Sequence, residues 1–159
     1  MFTADHHQTA TLERPAPSAI RGGTAVRVLP AVSDSVPALR RFARDVVRQW
    51  ALPGSVDEAV ALIVTELAAN AVRHSGSSDV TVRLGVDRRG LTVEVRDRGQ
   101  WRSACAAAAA DRPGGWAESC GGRGLSLVRA YASACIVWFE RTGTRVVATI
   151  PLASAAAGH

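Results

Sequence analysis

Glu66-Leu-Ala-Ala-Asn70-Ala-Val-Arg73-His74 is the stretch on which the reading of this chain turns. It sets a carboxylate and the only asparagine in the sequence one helical turn apart, inside a segment that is otherwise apolar. Residues four apart share a helix face. A buried polar group without a partner costs roughly 1–3 kcal/mol, so the stripe faces a cavity, holds something, or lies wet on the surface. The wet alternative sits poorly with Val64 to Val72, which is apolar almost all the way round.

Upstream, Ser55-Val-Asp-Glu58 has the form of a capping box, and Val56, Val60, Ile63 and Leu67 make a core stripe. Ser75-Gly76 closes this helix after roughly five turns of 3.6 residues. Before it, residues 1–23 mix Thr, Pro, Ala and His without periodicity and read as a disordered segment. Thr24 to Leu29 reads as a strand. Val36, Leu39, Phe42, Val46 and Trp50 recur at helical spacing after caps at Ser33 to Ser35, and Leu52-Pro53-Gly54 breaks that helix.

Downstream, Val80 to Val86 and Leu91 to Arg96 alternate as strands joined by the hairpin signal Asp87-Arg-Arg-Gly90. Residues 100–120 form a long connection without a core pattern, of the kind that carries function or moves. A helix is predicted from Gly124 to Ala132, then strands at Cys135 to Glu140 and Thr144 to Leu152, with a flexible tail over 153–159. The order predicts an α/β (α+β) two-layer sandwich: a mostly antiparallel mixed sheet with about three helices on one face, in one domain over 24–152.

Composition narrows the function. All 19 cationic residues are arginine. A Walker A loop and a eukaryotic-type protein kinase each need a lysine, so both are excluded. Cys105, Cys120 and Cys135 are odd in number and widely spaced, which suggests neither a disulfide framework nor a metal site. The net charge of +5 permits nucleic-acid binding, but no arginine cluster interleaved with aromatics appears, so none is expected; an acidic protein partner explains the basicity equally well. No apolar run has bilayer-spanning length and the first residues carry no signal-peptide stretch, so a soluble, cytoplasmic protein without membrane contact is expected.

Two further motifs follow Glu66 and Asn70 in order. Asp97-Arg-Gly99 ends a strand, where an aspartate can accept from the adenine amino group and a glycine lets the base near the backbone. Read alone, it is an ordinary Asp-x-Gly turn. Gly121-Gly122-Arg123-Gly124-Leu125 opens a helix, where amides and the helix dipole favour phosphate. Read alone, it is a glycine hinge. Asn70 offers an uncharged oxygen to magnesium, and Glu66 one turn away can orient or deprotonate an attacking hydroxyl or water. Arg73 and His74 end the same face. They could reach phosphate, or simply serve as cations at a helix C-terminus.

The set resembles the GHKL superfamily of ATPases, the Bergerat fold shared by histidine kinases and gyrase. It is most similar to the small bacterial branch of anti-sigma-factor serine kinases and related regulatory ATP-binding proteins. The resemblance runs from about Val36 to Leu152 and rests on Thr65-Glu66-Leu-Ala-Ala-Asn70-Ala-Val-Arg-His74, Val95-Arg-Asp97-Arg-Gly99, Gly122-Arg-Gly124-Leu-Ser-Leu-Val128 and Gly143-Thr-Arg-Val-Val-Ala-Thr-Ile-Pro151. It implies ATP and Mg2+ as ligands, with Asn70 holding the metal and Glu66 as catalytic base. Asp97 would read adenine, Gly99 would make room for it, and Thr149 would join the adenine contacts. Gly122, Arg123, Gly124 and Leu125 would line the phosphates, and residues 100–120 would be the ATP lid.

The implied activity is ATP-dependent serine/threonine kinase action on an anti-sigma-factor antagonist, with a sigma factor as a further partner and a homodimer as assembly. Two departures bear on phosphoryl transfer. Gln100 and Trp101 stand where many relatives extend Asp-x-Gly to Asp-x-Gly-x-Gly. Cys120 stands where some active kinases carry arginine. A catalytically inactive, nucleotide-gated binding module is therefore the alternative.

Overall fold

The computed structural model describes residues 22–99 and 123–152, with the side chain of Arg123 excepted. The expected N-terminal segment, except Gly22 and Gly23, lies outside the described residues, as do the lid at 100–120, Gly122 and the tail. The described elements run β1 (Gly23–Pro30), α1 (Ser35–Gln49), α2 (Gly54–His74), β2 (Asp79–Asp87), β3 (Gly90–Asp97), α3 (Arg123–Tyr131), β4 (Ala134–Glu140) and β5 (Gly143–Ile150).

Alternation builds the sheet. Val80, Val82, Leu84 and Val86 of β2 are buried at every second position, as are Leu91, Val93 and Val95 of β3 and Val146, Ala148 and Ile150 of β5. These rows register as Val82↔Val95↔Val146 and Leu84↔Val93↔Ala148, one continuous apolar face. The strand order is β1-β2-β3-β5-β4, and all four pairings are antiparallel rather than mixed. The opposite face carries a polar centre, in which Arg145 donates to Glu94 at 3.0 Å and stacks over Trp138 at 4.8 Å.

The helices cover the apolar face. α2 packs on β2, β3 and β5, α1 on α2 and β1, and α3 on α2 and β4. Leu39 and Val47 of α1 meet Val60, Ile63, Val64 and Leu67 of α2 in the core, all fully buried or nearly so. Burying each such side chain stabilises the fold by roughly 1.5–3 kcal/mol. The two-layer sandwich expected from the sequence is the fold observed.

One local expectation fails. α2 begins at Gly54 behind Pro53, with no side-chain cap, so Ser55 and Glu58 form no capping box. Pro53 is extended at φ −56, ψ 149, and its carbonyl already accepts from the Val56 and Asp57 amides. Ser55 is thereby inside the first turn instead of ahead of it. The other end behaves as read: Gly76 adopts φ +66 just past the helix, a conformation glycine takes without a Cβ penalty.

Candidate functional site

The site grows out of α2. Its apolar side locks Ile63, Val64, Leu67, Ala68 and Ala71 into the core, which fixes the rotation of the helix. Glu66 and Asn70 then fall, half-buried, at the boundary of the core, while Arg73 and His74 are exposed at the last turn. Thr65 takes no part, because its hydroxyl turns back to the Ala61 carbonyl at 2.7 Å.

α3 meets this stripe at its first turn. A Cβ on Gly124 would stand 2.5 Å from Glu66 Oε2, so a larger residue at this helix start would push the carboxylate aside. Leu125 is 3% exposed and belongs to the core, so its side chain is no ligand group and only its backbone amide can serve the site. Arg123 opens α3. Gly122, Gln100, Trp101 and Cys120 lie outside the described residues.

Asp97 closes β3 with 6% exposure, and its Oδ1 accepts the Gly99 amide hydrogen at 3.0 Å. Gly99 is required for a reason the sequence did not show. A Cβ there would overlap the Ser75 carbonyl, so the glycine lets the exit of β3 cross the end of α2 at close range. That crossing carries Asp97 to the Asn70–His74 end of α2. Ser77 secures it: its hydroxyl accepts from the Arg98 amide at 3.0 Å and donates to the Asp79 carbonyl at 2.7 Å. Ser75-Gly76 read in sequence only as a helix stop, and the serines that follow, Ser77 and Ser78, were the available signal of a seryl turn.

Thr149 is not beside Asp97. Register pairs it with Thr92 and Ala134 on the face away from the helices. Thr144, 3% exposed, is the residue opposite Asp97 on the helix-facing side. Gly143 makes this possible: at φ +143, with a Cβ that would overlap the Asp97 carbonyl, no other residue fits that turn without strain.

Glu66, Asn70 and Gly124 thus come together, with Asp97, Gly99 and Thr144 at the same end of α2. A model of the histidine kinase-like ATPase domain family matches residues 29–150. The chain belongs to that family. A search of curated proteins found no relative. Among solved structures, the chain is similar to the RsbU and RsbW domains of Rv1364c from Mycobacterium tuberculosis, at a TM-score of 0.63 and 19% identity. The alignment covers 82% of this chain and 32% of that one, so the chain spans about a third of the length of its neighbour. That likeness is one of fold.

The donor chemistry of a histidine kinase-like ATPase domain suits magnesium here. Asn70 and Glu66 present hard oxygens on one half-buried face, and no three His, Cys, Asp or Glu side chains converge among the described residues. Magnesium in nucleotide sites is held in just this sparse way, by one or two protein oxygens plus phosphate and water. Among the described residues, no helix is long and apolar enough to cross a membrane.

Proposed function

We propose that the chain is an ATP- and magnesium-binding regulatory kinase that phosphorylates serine or threonine on a partner protein. The observation that carries this reading is the seating of Gly124 against Glu66, one turn from Asn70. The family match supports adenine-nucleotide binding. The partner in this reading is an anti-sigma-factor antagonist, with a sigma factor as a second one and a homodimer as assembly, in keeping with the likeness in fold to a structure that contains an RsbW domain.

In this reading Asp97 accepts from the adenine amino group, and Thr144 flanks it on the next strand. Asn70 would hold magnesium, which neutralises phosphate charge when bound. Glu66 orients the partner hydroxyl and takes its proton as the hydroxyl attacks the terminal phosphorus, whose bond to the bridging oxygen breaks so that ADP leaves. The N-terminus of α3 and its glycines favour the phosphate chain.

The alternative, a nucleotide-gated module that binds its partner without transfer, is motivated by Gln100 and Trp101, which stand where the resemblance puts a second glycine in many members, and by Cys120, which stands where it puts an arginine in some active kinases. Incubation with ATP, magnesium and an antagonist-type partner, read by intact mass, separates the two. A mass gain of one phosphate that Glu66→Ala abolishes, while ATP binding persists, supports the kinase. ATP binding without phosphate transfer by the parent protein supports the module.

A further inference from the structure

The outer side of α1 carries arginines at 40, 41, 44 and 48. At 100° per residue they span a stripe about 100° wide and about 12 Å long. With Pro37 and Asp45 they line a surface hollow of about 380 Å³. The opposite side of α1, through Leu39, Ala43, Val46 and Val47, is locked in the core, so the stripe cannot rotate away.

The four arginines are not equivalent. Asp57 at the start of α2 clamps Arg44 at 2.6 Å and reaches Arg48 at 3.6 Å, and Arg48 also lies 3.8 Å from Asp45. Arg40 and Arg41 are exposed and form no ion pair among the described residues. The stripe therefore has a fixed base and two open forks. Asp57 precedes Glu66 by nine residues, about 14 Å along the helix, so this surface is separate from the nucleotide site.

We propose that this face of α1 is a docking surface for an acidic protein segment, a helix or turn that presents clustered carboxylates to Arg40 and Arg41. Charge complementarity selects the occupant. Guanidinium forks match carboxylates two-point, and with Asp45 and Asp57 among them the local excess of positive charge is small. A nucleic acid would need a denser, unneutralised row and stacking aromatics, and the stripe carries no aromatic residue. The surface does not depend on nucleotide binding, and a chain that bound no ATP would still present it.

The test uses an alanine-rich helical peptide bearing glutamates at i, i+4 and i+8, the same peptide with glutamines, and a duplex DNA, each titrated against the full chain. Binding of the glutamate peptide alone is expected, weakening as salt rises, since exposed charge pairs are screened. Arg40→Glu/Arg41→Glu should weaken it at least tenfold, and the milder Arg40→Gln/Arg41→Gln should weaken it in the same direction, both with unchanged melting and unchanged ATP titration. No binding, binding by either double variant as tight as the parent's, or tighter binding of the DNA would overturn the proposal.

Discussion

At the scale of single residues, three glycines separate two kinds of close approach. A Cβ at Gly99 or Gly143 meets backbone carbonyl, which cannot move aside, whereas a Cβ at Gly124 meets the tip of the flexible Glu66 side chain. Gly99→Ala should therefore destabilise the protein by about 2 kcal/mol or more, in the range of overpacked sites. Gly124→Ala should melt within about 1 kcal/mol of the parent, since alanine also gains helix propensity. It should nevertheless lose most phosphoryl transfer, because Glu66 is displaced. Thermal melts and the transfer assay read both. Asp97→Asn probes adenine reading in the same way. Asparagine keeps an oxygen for the Gly99 amide, so stability should hold within about 0.5 kcal/mol, while ATP affinity falls at least tenfold. Unchanged affinity would remove Asp97 from the base contacts.

At the scale of elements, the inside–outside alternation of β2, β3 and β5 and the apolar stripe of α2 were legible because burial imposes periods of two and 3.6 on the sequence. Observed boundaries lie within a residue or two of those read. The capping box misled because Pro53, extended and with its own carbonyl engaged, starts α2 a residue earlier than the serine. Ser55→Ala should thus cost well under the roughly 1 kcal/mol of a true N-cap, which denaturant titration would show. Thr149 misled for a different reason. Parity within one strand is visible in sequence, but which face of β5 stands beside Asp97 depends on a register between chain segments nearly fifty residues apart. Between α1 and α2, the Arg44 hydrogen bond holds the Asp57 carboxyl below its ordinary value of 3.8. A lowered folded value means that the clamp stabilises fully above pH about 4 and fades as pH falls from there toward the depressed value. Asp57→Asn should lower the melting temperature at neutral pH and flatten that acid-side fall. Identical pH profiles would show the clamp to be energetically silent.

At the scale of the whole molecule, the antiparallel sheet serves as a rigid floor that brings three sequence-distant motifs to one side of α2. The glycine crossings at 99, 124 and 143 set how near they come. Which residues to gather as candidates was readable from residue types and their order. What was not readable were the approaches between backbones, because a sequence records that a glycine is present and not what fills the place of its side chain. The central claim is that Asn70 and its neighbours form a magnesium-dependent adenine-nucleotide site. Calorimetric titration with ATP, with and without magnesium, on the parent and on Asn70→Ala tests it most directly. Saturable binding that requires magnesium and weakens at least tenfold in Asn70→Ala is the predicted result; no binding at millimolar ATP, or equal binding by both proteins, would contradict it.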